Sequence, residues 1–228
     1  MYAAALFSVF VASFLLGSIP WGLIVSRVHY KIDIREHGSG NIGATNAVRI
    51  LGKVGGVAVF LLDFGKGMLS VLIAAFVYLE FVMVEPSGFV LFSMHIPTVD
   101  AQNMLASAFC GCTLGHVFSP WLKLKGGKGV AVGVGALFVA LGWIPGVVEL
   151  ALFAIVVLAT RYVSAGSIAA ALLCPLFSLW VYWGNAYAIL MCVIVTVLVI
   201  WAHRTNIKRL VNGTESRVGQ KPGQLETK

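Results

Sequence analysis

Apolar stretches alternate along the chain with short polar runs dense in glycine, and the apolar stretches set the expected elements. The first, Ala3 to about Ser26, carries Gly17 and Pro20 in its second half, so the Gly17-Ser-Ile-Pro-Trp21 run predicts a kink or a close helix contact. A second runs from Val54 to about Leu79 and contains Asp63 and Lys66; a third runs from Ala101 to about Phe118. Val130 to Leu141 is short, about 12 residues, and turns at Gly142-Trp-Ile-Pro-Gly146, which predicts a segment that is tilted, partly re-entrant or lengthened by the glycines before it. Val147–Thr160, Ser164 to Trp183 and Asn185–Ala202 complete the set. At roughly 20 residues per crossing, this pattern predicts an all-α integral membrane protein of about seven transmembrane helices. It forms a single polytopic domain over residues 1–228, with a polar tail from about His203 and a last dozen or so residues that fray.

Composition agrees with lipid as the solvent. Of 228 residues 59% are hydrophobic and 11% charged, where a soluble domain is about a quarter charged. The formal charge of +7 is scattered at segment ends rather than along one face, which argues against a nucleic-acid partner. Its distribution predicts topology instead. Arg27, Lys31, Arg35, Arg49 and Lys53 outweigh Asp33 and Glu36 in the first loop, and Lys123, Lys125 and Lys128 mark another. Arg161 and the tail with Arg204, Lys208, Arg209 and Arg217 fall on the same side, whereas the connection from Glu80 to Asp100 has Glu80, Glu85 and Asp100 and no Lys or Arg. The N-terminus is therefore expected outside and the C-terminus in the cytoplasm. Residues 1 to 26 lack the basic start of a signal peptide and read as a retained helix.

Three polar clusters fall on that cytoplasmic side. The first, His37 to Arg49, places Gly38, Gly40 and Gly43 among Ser39, Asn41, Thr45 and Asn46, a composition suited to an anion-binding nest of backbone N–H groups, with Arg49 as a planar fork for phosphate. It satisfies Gly-x-Gly-x-x-Gly, but a membrane helix precedes it, so a dinucleotide fold is rejected. The second, Gly115 to Gly129, ends in Lys125-Gly126-Gly127-Lys128-Gly129 just where a helix begins, a place ready for an anion, although the spacing is not that of a P-loop. In the third, His203 to Glu215, a continued helix would put His203 and Asn206 on one face and turn Lys208 and Arg209 elsewhere. Asp63 and Lys66 are expected to pair inside the membrane in support of the site, and Ser167 to line the same pocket. His29, His95 and His116 read as ordinary, and Cys110, Cys112, Cys174 and Cys192 as small core residues. No metal cage or cysteine nucleophile is evident among these clusters. These residues alone imply a membrane-surface site for phosphate-bearing molecules, which an enzyme, a transporter of a phosphorylated metabolite or a lipid-binding scaffold would all use.

The ordered motifs resemble the bacterial membrane acyl-phosphate:glycerol-3-phosphate acyltransferases. The resemblance rests on Gly17 to Pro20, Gly38 to Asn46 with Arg49, Leu62-Asp63 to Lys66-Gly67, Gly115 to Ala131, Arg161 to Ile168 and His203 to Gly219. The Glu80 to Asp100 connection is longer than is usual for that family. The resemblance implies transfer of a fatty acyl group from acyl phosphate, arriving from the bilayer, to the 1-hydroxyl of sn-glycerol 3-phosphate, arriving from the cytoplasm. Lysophosphatidic acid and phosphate are the implied products, with no cofactor. It implies a multi-pass enzyme of the bacterial inner membrane, among membrane lipids, with a cytoplasmic site. Carried over by motif, Ser39, Arg49, Lys128, His203 and Asn206 serve catalysis and glycerol 3-phosphate binding. Gly38, Gly40, Asn41, Gly43, Thr45, Asn46, Gly126, Gly127, Gly129 and Ser167 complete the substrate-binding set.

Overall fold

In the computed structural model, residues 2–82, 96 and 98–220 are described. His95, Glu85 and the final eight residues, for which expectations were stated above, lie outside that range. The described residues form helices and turns without strands. The first apolar stretch is two helices, α1 (Tyr2–Gly17) and α2 (Trp21–His29), parted at Ser18–Pro20. Then come α3 (Ala44–Phe81), α4 (Val99–Val117), α5 (Val130–Ala140), α6 (Trp143–Thr160), α7 (Val163–Ala171), α8 (Cys174–Val181), α9 (Ala186–Ala202) and α10 (Arg204–Val211).

Among the described residues four helical stretches are long and apolar enough to cross a membrane: Tyr2–His29, Ala44–Phe81, Trp143–Thr160 and Val163–Val181. A fifth counts if α9 and α10, which meet at 53°, form one broken span. The third apolar stretch is absent from this set for a physical reason. As α4 it packs against α1, α3, α5 and α9, so nearly every face is buried, and it can carry Gln102, Asn103, Ser107, Thr113 and His116 where a lipid-facing helix could not. With 11 residues, α5 is about 16 Å long, roughly half a bilayer core. The loop before it, Lys123 to Gly129, starts in a turn with Lys123 and Leu124 left-handed and ends at Gly129, also at positive φ. The sixth stretch, expected as one segment, breaks at Leu172–Leu173 into α7 and α8.

Backbones approach closely where glycines meet across helices. A Cβ at Gly111 or Gly115 of α4 would collide with the carbonyls of Phe10 or Phe14 on α1, and one at Gly67 of α3 or Gly135 of α5 with the carbonyls of Val132 and Phe64. Such small-residue contacts supply the packing that association in lipid requires. α3 also folds back on itself. Gly52 takes φ 79°, ψ −178°, and a Cβ on Gly56 would lie 2.1 Å from Val48, eight residues earlier and about 12 Å away in a straight helix. The bend returns Ala44–Leu51, and Arg49 with it, against the body of the bundle.

The break between α1 and α2 leaves carbonyls without helical partners, because Pro20 has no N–H and the turn after Gly17 is open. Those of Ser18 and Ile19 are met from elsewhere, as is the Ser18 hydroxyl. Ser119 Oγ donates to Ser18 O at 2.7 Å, Trp121 Nε1 to Ser18 Oγ at 2.8 Å, and Lys66 Nζ to Ile19 O at 2.7 Å. Lys66 also forms an ion pair with Asp63 Oδ1 at 2.7 Å and lies 3.0 Å from His116 Nδ1, so one ammonium group joins α3, α4 and the break between α1 and α2. The expected Asp63–Lys66 pair is therefore present and structural. The expectation that His116 is ordinary is corrected: it is buried on α4 as the third member of this cluster.

Removing one partner of a buried pair costs about 3–5 kcal/mol. Lys66→Met is accordingly expected to lower the thermal unfolding midpoint in detergent markedly. Adding Asp63→Leu should recover part of the loss by removing the orphaned carboxylate; a double variant less stable than Lys66→Met would contradict the pairing.

A candidate anion site at one end of the bundle

The first cluster is a loop folded around one amide. Asn46, buried in the first turn of α3, donates from Nδ2 to the carbonyls of Asn41 (2.9 Å), His37 (3.1 Å) and Ile34 (3.3 Å), while its Oδ1 accepts from Ser39 N (3.0 Å). Asn41 Oδ1 accepts from Gly43 N at 2.9 Å, and Gly40 N donates to His37 O at 3.0 Å. Gly38 sits at φ 61° with its α-carbon against Asn46 Oδ1, a place no side chain could enter. At the entry, Asp33 accepts from Arg35 N, Nε and Nη2 and from Arg27 Nη2, and these bonds, Arg35 first, hold its carboxyl well below the usual carboxylate range. The expected nest is thus largely self-satisfied. Asn46, Gly40, Gly43 and the amide of Asn41 build the loop, whereas the exposed Ser39 and Thr45 hydroxyls remain at its rim, with no side-chain bond to the other two clusters.

The second cluster follows the same economy. Gly126 N donates to Val117 O and Gly127 N to His116 O, both at 3.0 Å, so these two glycines fasten the loop to the end of α4 instead of presenting donors. A Cβ on Gly127 would fall on His116 Nε2, which ties the loop to the Lys66 cluster beneath it. What the loop presents is Lys128, half-buried, and the start of α5, where Gly129 at φ 81° provides no side-chain cap for the first N–H groups. Gly129 lies against Thr113, Val117 and Val199, so the loop reaches the end of α9.

The third cluster departs from a continuous helix. The chain bends by 53° at His203, and the tail then folds back. His203 Nδ1 lies 2.8 Å from Val199 O; a carbonyl only accepts, so Nδ1 carries the ring proton and Nε2 is left as an acceptor. Glu215 is a residue that sequence reasoning passed over. It is buried, accepts from Asn206 Nδ2 (2.6 Å), Ser164 Oγ (2.8 Å) and Arg209 Nε (2.6 Å), and so joins α10 to the start of α7. Burial pushes its carboxyl up, but those three hydrogen bonds prevail and hold it below its ordinary value. Arg209, expected to turn away, turns in to this carboxylate. Asn206 Oδ1 is left buried without a partner. Farther along, Val218 N donates to Arg161 O, Arg161 Nη2 to Val218 O, and Arg217 lies 5.4 Å over the Tyr162 ring. Ser167, expected in the polar pocket, instead donates to Val163 O and lines an apolar groove.

The clusters converge on Lys128. Its field comes from Glu215, Arg209 and Arg49, and that of His203 from Lys128 and Glu215. Arg27, Arg35, Lys66 and Arg209 are spent on carboxylates, whereas Arg49 and Lys128 make no ion pair or side-chain hydrogen bond among the described residues. Two unspent cations, an uncapped helix start, a histidine acceptor and an orphaned amide oxygen together suit a phosphate group carrying hydroxyls. Among the described residues no group of three His, Cys, Asp or Glu side chains could hold a metal ion.

The chain as a whole is similar to known proteins. The family profile described as glycerol-3-phosphate acyltransferase matches residues 7–213. A glycerol-3-phosphate acyltransferase of Rhodopseudomonas palustris (strain BisB5) is similar, 41% identical over 221 residues, covering 97% of this chain and 98% of the relative. One from Prochlorococcus marinus (strain MIT 9301) is 40% identical over 211 residues, covering 92% and 95%. The crystal structure of PlsY, an integral membrane glycerol 3-phosphate acyltransferase, in its glycerol 3-phosphate form superposes with a TM-score of 0.78 at 34% identity, covering 95% of this chain and 96% of that one. The lysophosphatidic acid form gives 0.74.

Burial, ahead of the repulsion from Arg209 and Arg49, lowers Lys128 to about 8. A lysine of lowered pKa is charged below that value and neutral above it, so affinity for inorganic phosphate is expected to fall as pH rises from 7.5 to 9.5. Lys128→Arg should flatten the profile, because a guanidinium stays charged throughout. Equal decline in both proteins, followed by calorimetric titration, would contradict this assignment.

Proposed function

The chain belongs to the glycerol-3-phosphate acyltransferase family, and on that premise we propose that it transfers a fatty acyl group from acyl phosphate to the 1-hydroxyl of sn-glycerol 3-phosphate, releasing lysophosphatidic acid and phosphate. The observation that carries this reading is the pair of unspent cations, Arg49 and Lys128, drawn from two clusters, with Arg49 near enough to repel the Lys128 ammonium. Both substrates carry phosphate, and both need a cation.

The chemistry asked of the protein is modest, because an acyl phosphate is already an activated anhydride. Positioning and charge stabilisation are the main contributions. Arg49 and Lys128 hold phosphate; Ser39, His203 Nε2 and Asn206 Oδ1 orient the glycerol hydroxyls. The 1-hydroxyl oxygen forms a bond to the acyl carbon as the bond from that carbon to the phosphate oxygen breaks. The departing phosphate takes the hydroxyl proton. Glu215 does not drive His203 as a base, since its bonds go to Asn206, Ser164 and Arg209 while His203 Nδ1 is held by a backbone carbonyl. The acyl chain enters from the bilayer and glycerol 3-phosphate from the cytoplasm. The protein is multi-pass, and we place it in the bacterial inner membrane with seven crossings, the N-terminus outside and the site on the cytoplasmic face, as the basic residues near that site favour.

The reaction is tested by phosphate release from palmitoyl phosphate by the purified protein, with and without glycerol 3-phosphate. Release is expected to need both substrates, to yield lysophosphatidic acid, and to fall at least about a hundredfold in Arg49→Ala. Vesicle flux of glycerol 3-phosphate without acylated product would overturn the reading. His203→Gln should keep turnover within about tenfold, with an unchanged pH profile. A loss of several orders of magnitude that follows the ionisation of His203, which burial lowers to about 4, would instead make His203 the base.

A further inference from the structure

An apolar groove opens beside the site and runs into the bundle between α4, α5, α6, α7 and α9. One end is lined by Gly129, next to Lys128, and by Val199, whose carbonyl fixes His203. Farther along α5 it is lined by Leu137, Glu149 and Cys174. From Gly129 to Leu137 is eight residues of chain, so the groove descends about 12 Å if followed along α5. In the proposed reaction the acyl chain attached to the phosphate lies here.

One residue of this wall does not fit an acyl chain. Glu149 of α6 is 3% exposed and lines the groove, yet its Oε1 is buried with no hydrogen-bond partner. The other polar groups of the wall are engaged: Ser167 donates to Val163 O at 2.9 Å and Thr196 to Ala171 O at 3.1 Å. No lysine, arginine or histidine lines the groove to neutralise a carboxylate. In either protonation state Glu149 has hydrogen-bonding capacity that nothing in the wall uses. A chain ending short of it leaves room for a water on the carboxyl group; a chain lying over it seals the group against methylenes and leaves it unsatisfied.

We propose that Glu149 is a specificity-determining residue for the acyl donor: a polar stop in the acyl groove that selects against chains long enough to cover it. It touches neither the phosphate nor the reacting carbonyl, so it acts on the choice of donor and not on the chemical step. The proposal rests on the acyl-transfer reading above.

The test compares octanoyl, dodecanoyl, palmitoyl and stearoyl phosphates as donors at fixed glycerol 3-phosphate, for the wild-type protein and for Glu149→Leu, Glu149→Met and Glu149→Gln. In Glu149→Leu and Glu149→Met the ratio of kcat/KM for the longest donor to that for the shortest should rise by between about five- and a hundredfold, the value of one buried unsatisfied group. The short-donor rate should hold. Glu149→Gln, which keeps the polar group, should retain the wild-type profile. Two apolar variants that turn over the short donor with the wild-type length profile would overturn the proposal, as would a Gln variant that behaves like Leu. If the wild-type protein releases no phosphate from any donor, the acyl-transfer reading itself falls, a result distinguishable from a wild-type enzyme whose selectivity ignores position 149.

Discussion

A single buried ammonium group holds the architecture of the site together. Lys66 on α3 meets the Ile19 carbonyl exposed by the break between α1 and α2, the Asp63 carboxylate one turn away and the His116 ring on α4. His116 in turn lies under Gly127, and its carbonyl and that of Val117 receive the N–H groups of Gly127 and Gly126. An unpaired charge at this depth would be costly, so the cluster exists only when all of its members are in place. That condition makes the loop bearing Lys128 depend on the break between α1 and α2, on α4 and on α3, the helix that also carries Arg49.

The site itself is assembled by spending some polar groups so that others remain free. Asn46 and Asn41 satisfy the first loop, Gly126 and Gly127 anchor the second, and Glu215 gathers Ser164, Asn206 and Arg209 to fold back the third. The groups left over are Arg49, Lys128, the start of α5, His203 Nε2 and Asn206 Oδ1. An anion-binding surface arises by this subtraction. The same reasoning gives meaning to Glu149, the one groove-lining carboxyl group that no neighbour uses.

Much of this was legible in the sequence where a physical rule acts locally. The short α5, the helix break at Gly17 to Pro20, the Asp63–Lys66 pair and the four buried free cysteines all follow from length, proline chemistry and the cost of charge in lipid. The misses share a cause, namely partners distant in sequence. His116 reads as ordinary until Lys66, fifty positions away, is seen at its Nδ1. α4 reads as a plain span because composition does not reveal that protein covers nearly all of it. Glu215 lies in the quoted third cluster, but its role depends on Ser164 on another helix. The glycines of both loops carried a correct signal of unusual backbone, though not the direction in which their N–H groups point. Ser167 sits on the groove side of the site and not among its cations.

The central claim is that the first and second clusters form one phosphate site through Arg49 and Lys128. A double-mutant cycle on the dissociation constant of glycerol 3-phosphate tests it most directly, using Arg49→Gln, Lys128→Gln and the double variant. The account predicts that the two losses are strongly non-additive, with a coupling of between about 0.5 and 3 kcal/mol, because both cations act on one bound group. Losses that sum within about 0.5 kcal/mol would place the residues at separate sites and contradict it.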